Sequence, residues 1–201
     1  MLGRTSLCAV VFFLTAASTA SAQYQTPADR PMPLESNWSL DEPIVRDRIV
    51  TEMGGLGPAN VPGPSELTSV VTWISNALGR PAIYDLPRVE RVPKIRLAVV
   101  HYGDQFLSLH DVVSSYDAAE KTIYLPEDWS GQTPAEISVL VHEMVHHLQN
   151  VAGDKFECSQ WREKLPYVAQ AKWLDSYGGS LERDFAIDPL SYLLTTECYI
   201  P

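Results

Sequence analysis

Val141-His142-Glu143-Met144-Val145-His146-His147-Leu148 is the stretch of this sequence most ready for chemistry. His142 and His146 are four residues apart, so in a helix their imidazoles leave from one face and can chelate one ion. Glu143 follows the first histidine and reaches the same cleft without binding the metal itself. There it can take a proton from water polarised by the ion. The implied chemistry is metal-assisted hydrolysis, with Zn2+ the ion suited to imidazole and carboxylate ligands. His147 lies near the boundary of the apolar stripe and is expected to pack or hydrogen-bond rather than ligate.

The helix that must carry these residues is well marked. Thr133 suits an N-cap, Pro134 the first helical position, and Glu136 completes a capping box. The helix should run to about Val151 and close at Gly153. At about 100° per residue, Ile137, Leu140, Val141, Met144, Leu148 and Val151 cluster on one side, and His142, Glu143 and His146 fall opposite. That pattern suits a helix lining a cleft.

A catalytic zinc site needs a third protein ligand. One large group of zinc hydrolases continues the motif with Gly and His. Here those positions hold Gln149 and Ala152, which excludes that group. The gluzincins instead take a Glu from a following helix. Glu157, Glu163 and Glu182 are candidates, with Asp154 and Asp175 less typical. Glu163 lies 17 residues after His146, leaving room for the first helix to end and the chain to turn back. Glu157 is only 11 residues on, and Glu182 follows Gly178-Gly179, beyond the second helix. Tyr167 and Gln170 share the face of Glu163 if the helix already runs through it. Glu163 is therefore the expected third ligand.

Other elements frame this pair of helices. Residues 65–78 show helical spacing and stop at Gly79. Residues 94–101, 106–116 and 121–125 read as strands, with a hairpin turn at Asp117-Ala118-Ala119-Glu120. Asp188-Pro189 should start a short C-terminal helix. Helix, small sheet, helix, helix makes an α+β domain.

Residues 1–22 read as a signal peptide. Arg4 is its positive start, residues 7–17 its apolar core, and Ala20-Ser21-Ala22 its cleavage signature. The expectation is a secreted or periplasmic protein with no membrane insertion after cleavage. Residues 23–60 read as a flexible N-terminal segment, with a short helix at 43–53, and residues 61–201 as the domain. Cys8 would leave with the leader. Cys158 and Cys198 remain, and in an oxidising compartment they are expected to pair. The 201-residue chain has a net charge of −10 and no Lys/Arg cluster, which argues against nucleic-acid partners and anionic membrane surfaces.

The stretch from Leu140 through Gln149, followed by Cys158, Arg162-Glu163, Tyr167, Gln170 and Trp173-Leu174, resembles a family of exported bacterial proteins of unknown function. These are similar in turn to small gluzincin-type zinc metallopeptidases. The resemblance spans roughly residues 65–177. It implies a zincin-like fold: a helix, a small mostly antiparallel sheet, an active-site helix and a glutamate helix. An edge strand would border the cleft, and residues 121–125 fit that strand. Pro166, best tolerated in a first helical turn, sets the expected start of the glutamate helix close to Glu163. The implied activity is hydrolysis of a peptide or protein substrate. Zinc would be held by His142, His146 and Glu163, with Glu143 as general base. Tyr167, Tyr124 and His110 stay open as oxyanion donors. A non-catalytic zinc-binding protein on the same scaffold and a zinc hydrolase of a non-peptide bond are the alternatives. The intact Glu143 counts against the first.

Overall fold

A computed structural model describes residues 8–11, 42–54, 61–102 and 112–198. In chain order the elements are β1 (Cys8–Val11), α1 (Glu42–Gly54), α2 (Pro64–Leu78), β2 (Arg88–Val92), α3 (Lys94–Tyr102), β3 (Val112–Asp117), β4 (Thr122–Pro126), α4 (Pro134–Ala152), α5 (Ser159–Asp175), α6 (Leu181–Phe185) and α7 (Pro189–Thr196). The described residues thus form an α+β arrangement of seven helices and one mixed sheet, ordered β1-β3-β4-β2.

Local chemistry explains most boundaries. α2 has proline in its first turn and ends at Gly79, whose φ of 63° is the left-handed conformation that glycine adopts without strain. The β3–β4 turn is held by Asp117, whose Oδ1 accepts from the backbone N–H of Ala119 at 2.8 Å and of Glu120 at 3.1 Å. α7 starts as expected, with Asp188 Oδ1 accepting from Ser191 N at 2.7 Å. α6, a single short helix capped by Ser180, has no counterpart among the elements expected from sequence.

Three expectations need correction. Residues 94–101 belong to helix α3, not a strand. Leu97 and Ala98 are buried while Ile95 and Val99 are exposed, a helical rather than an alternating pattern. Pro93 ends strand β2, and its carbonyl accepts from Arg96 N and Leu97 N to open the helix. The third strand is instead β2. It pairs in parallel with β4, Arg88 opposite Thr122 through Val92 opposite Pro126. β4 is therefore not an edge strand, because β3 covers its other side in antiparallel register. Last, α5 starts at Ser159 and continues through Pro166, so this proline sits inside the helix rather than in its first turn. The segment expected at 106–111 and His110 lie outside the described residues.

The core joins α1, α2, α4, α5 and the inner face of the sheet. Trp73 of α2 and Trp173 of α5 meet edge to face at 5.1 Å, and Trp173 Nε1 donates to Pro134 O at the start of α4. Ile49 and Met53 of α1 are fully buried in the same cluster, so this part of the segment before residue 60 is anchored to the domain. Cys158 and Cys198 form a disulfide with Cα atoms 6.0 Å apart, tying the start of α5 to the chain beyond α7. β1 pairs antiparallel with β3 and lies within residues 1–22, the segment expected to be a leader. No helix among the described residues is long and apolar enough to cross a membrane.

Candidate metal centre

α4 carries the complete capping box expected of Thr133 and Glu136, and it closes at Gly153 with φ 70°. It packs chiefly against α5, with α2 and β3 also against it. The helix does not line an open cleft with one face. Every residue from Ile137 to His147 is buried, because α5 covers the side that carries His142 and His146. The motif histidines and Glu143 are fully buried, and Glu163 nearly so.

The geometry brings together the three residues expected to ligate. His142 Nε2 lies 3.3 Å from Glu163 Oε2, His146 Nε2 lies 3.2 Å from the same oxygen, and the two Nε2 atoms are 3.2 Å apart. Among the described residues this is the one His/Cys/Asp/Glu group able to hold a metal ion. Glu157, Glu182 and Asp175 are exposed, and Asp154 is engaged by Arg80 through two hydrogen bonds of 2.9 and 3.1 Å.

The protonation pattern shows what this triangle requires. Ser138 Oγ donates its one proton to Ala135 O at 2.7 Å, so it accepts from Gln170 Nε2 at 3.3 Å. The other end of that amide, Oε1, therefore faces His142 Nδ1 at 3.0 Å and accepts its proton. Gln149 Nε2 donates to Arg162 O at 3.0 Å, which leaves Gln149 Oε1 to accept from His146 Nδ1 at 3.1 Å. Both neutral imidazoles thus carry their proton on Nδ1 and turn an Nε2 lone pair toward a carboxylate oxygen. Three acceptors within 3.3 Å of one another repel unless a cation lies among them. Ligands about 2.0–2.1 Å from a tetrahedral ion stand about 3.3 Å apart, so this donor set fits such an ion with its fourth position open.

Glu143 stands beside this group. Its Oε1 accepts from Ser114 Oγ at 2.6 Å, while its buried Oε2 has no partner among the described residues. Burial pushes the Glu143 carboxyl up to about 7, opposed by the Ser114 hydrogen bond. A carboxyl poised there can accept and return a proton near neutral pH.

His147 makes no contact with the triangle. Its Nε2 donates to the Asp85 carbonyl, and its Nδ1 accepts from Tyr116 OH at 3.0 Å, which pins α4 to β3 and the chain before β2. This is the packing and hydrogen-bonding role expected of it. Tyr167 lies one turn beyond Glu163 and stacks edge-on against His142 at 4.7 Å. Tyr124 packs with Leu97 and Val112 in a separate cluster. Ser114 and Gln149 are site residues that sequence reasoning missed. Ser114 was visible only as a small hydroxyl two residues before Tyr116 on a strand, and Gln149 only as a polar residue on the His146 turn of α4.

Residues 60–200 match a domain of unknown function, DUF6647, and the chain belongs to that family. No curated protein and no solved structure matches the chain.

Proposed function

We propose that this DUF6647 chain is an exported, zincin-like zinc peptidase that hydrolyses peptide bonds in a peptide or protein substrate. The observation that carries the reading is the convergence of two imidazole lone pairs and a carboxylate within 3.3 Å, with a buried carboxyl beside them that has one unpartnered oxygen. His142, His146 and Glu163 would hold the ion. Bound zinc supplies a Lewis acid for the scissile carbonyl and lowers the pKa of water. Ser114 holds Glu143 Oε1, which leaves Oε2 to receive a proton from the attacking water. Glu143 would then deliver that proton to the leaving amine. The Tyr167 ring packed on His142 limits rotation of that ligand.

Loss of residues 1–22 would remove β1 and bare the outer edge of β3, the strand that carries Ser114. An extended peptide pairing there would run past Glu143, so β3 takes the docking role expected of β4. A binding-only zinc protein has no use for a carboxylate left half-satisfied in the interior, because such a group lowers stability. That favours catalysis.

The mature protein incubated with a diverse peptide library should cleave it, lose that activity with a chelator and regain it with zinc. Glu143→Gln should retain the metal and lose cleavage. Cleavage indifferent to both treatments would remove the reading.

A further inference from the structure

Pro166 is the eighth residue of α5 and is buried. A proline inside a helix removes one backbone hydrogen bond and is strongly disfavoured relative to alanine, so its presence calls for a compensating role. The bond that residue 166 would donate runs to the carbonyl of Arg162, four residues earlier. The proline ring also crowds that carbonyl. The same carbonyl accepts the side-chain amide of Gln149 at 3.0 Å.

We infer that Pro166 is a positioning residue for His146: it frees the Arg162 carbonyl for Gln149, and Gln149 then sets which imidazole nitrogen faces the metal. A carbonyl only accepts, so the end of Gln149 that meets it is the NH2 group. Its oxygen therefore faces His146 Nδ1 at 3.1 Å and requires the proton to sit there. Nε2 is left as a lone pair 3.2 Å from Glu163 Oε2. Gln149 is almost fully buried, so solvent offers the flipped amide little compensation. His142 supplies an internal control. Its partner Gln170 is fixed by Ser138 on α4 and not by the Arg162 carbonyl. The two ligands are oriented by separate devices, and only one runs through the proline.

This inference rests on the metal-centre reading, and its test has a readout that needs no metal. Imidazole tautomers of His142 and His146 are read by nitrogen NMR on the metal-free full chain, at a pH where both rings are neutral. Zinc affinity is measured by chelator competition for the wild type, Pro166→Ala, Gln149→Ala and the double variant. Pro166→Ala restores the helical N–H, which draws the Arg162 carbonyl back into the helix. His146 should then populate both tautomers while His142 keeps its proton on Nδ1. Zinc affinity should fall about tenfold, the lower end for loss of an outer partner of a metal ligand. The unfolding midpoint of metal-free Pro166→Ala should not fall. The double variant should bind zinc no more weakly than Gln149→Ala alone, because both changes break one chain of contacts. An unchanged His146 tautomer in Pro166→Ala, or affinity losses that add in the double variant, would overturn the inference. If wild-type protein bound no zinc, the metal reading would fail, and the tautomer comparison would still decide the role of Pro166.

Discussion

Glu143 is where function and stability pull apart. Its carboxyl sits near 7 against an ordinary 4.5, so the folded chain holds that proton more tightly than the unfolded one. The resulting stability is fully present below about pH 4.5 and is lost as pH rises through about 7. A tenfold change in proton affinity is worth about 1.4 kcal/mol, so at pH 8 the buried charge costs on the order of 3 kcal/mol. Glu143→Gln in the metal-free protein should be more stable than wild type by up to that amount at pH 8, with the gain shrinking toward pH 4.5. Denaturant unfolding at several pH values measures it, and a variant less stable at pH 8 would mean that the carboxyl is not buried as described. Ser114 acts on the same group with a definite sign. Its hydrogen bond lowers the Glu143 pKa, so Ser114→Ala should move the acid limb of any pH–rate profile upward. A limb that stays in place would show that Ser114 does not hold the base.

At the scale of elements, the site depends on how α4 and α5 are anchored. His147 ties α4 to Tyr116 and Asp85, and burial lowers its pKa below the ordinary 6.5. The unfolded chain therefore takes up a proton near pH 6.5 that the folded chain refuses until lower pH, so stability from this group falls as pH drops below 6.5. Glu143 titrates with the opposite sign over part of the same window, so the effect is best read in the Glu143→Gln background. There, unfolding free energy should decline from pH 7 to 5, and His147→Gln should flatten the slope. An equal slope in both would sink this assignment. The disulfide anchors the other helix. It closes a loop of sequence separation 40, worth about 4 kcal/mol in the chain-entropy model. Replacing Cys158 and Cys198 by serine should lower stability by roughly that amount. Because Cys158 sits at the start of the helix that carries Glu163, zinc affinity should weaken as well. Calorimetry and chelator competition check the two effects separately.

Across the molecule, what could be read from sequence was what local chemistry decides. The two histidines, Glu143 and the caps of α4 are all set within one helix, where spacing and capping residues speak directly. Glu163 followed from chain-length arguments about where a returning helix can reach. The rest depended on pairing between distant segments. Ile95, Leu97, Val99 and Val100 suit strand and helix equally in so short a run, and only Pro93 and the burial of Leu97 and Ala98 separate them. The status of β4 depends on a parallel partner more than thirty residues earlier, 122 − 88 = 34, which no local signal announces. Ser114 and Gln149 matter through contacts across 29 and 13 residues, to Glu143 and Arg162. Metal content tests most directly whether the triangle of His142, His146 and Glu163 binds a catalytic metal. Purified wild-type protein, Glu143→Gln, His142→Ala, Glu163→Ala, Glu157→Ala and Glu182→Ala would be loaded with zinc, dialysed and assayed for bound metal. One equivalent is expected in wild type, Glu143→Gln, Glu157→Ala and Glu182→Ala, with zinc lost from His142→Ala and far more weakly held in Glu163→Ala. A wild-type protein without metal, or a folded Glu163→Ala that holds zinc as tightly as wild type, would contradict it.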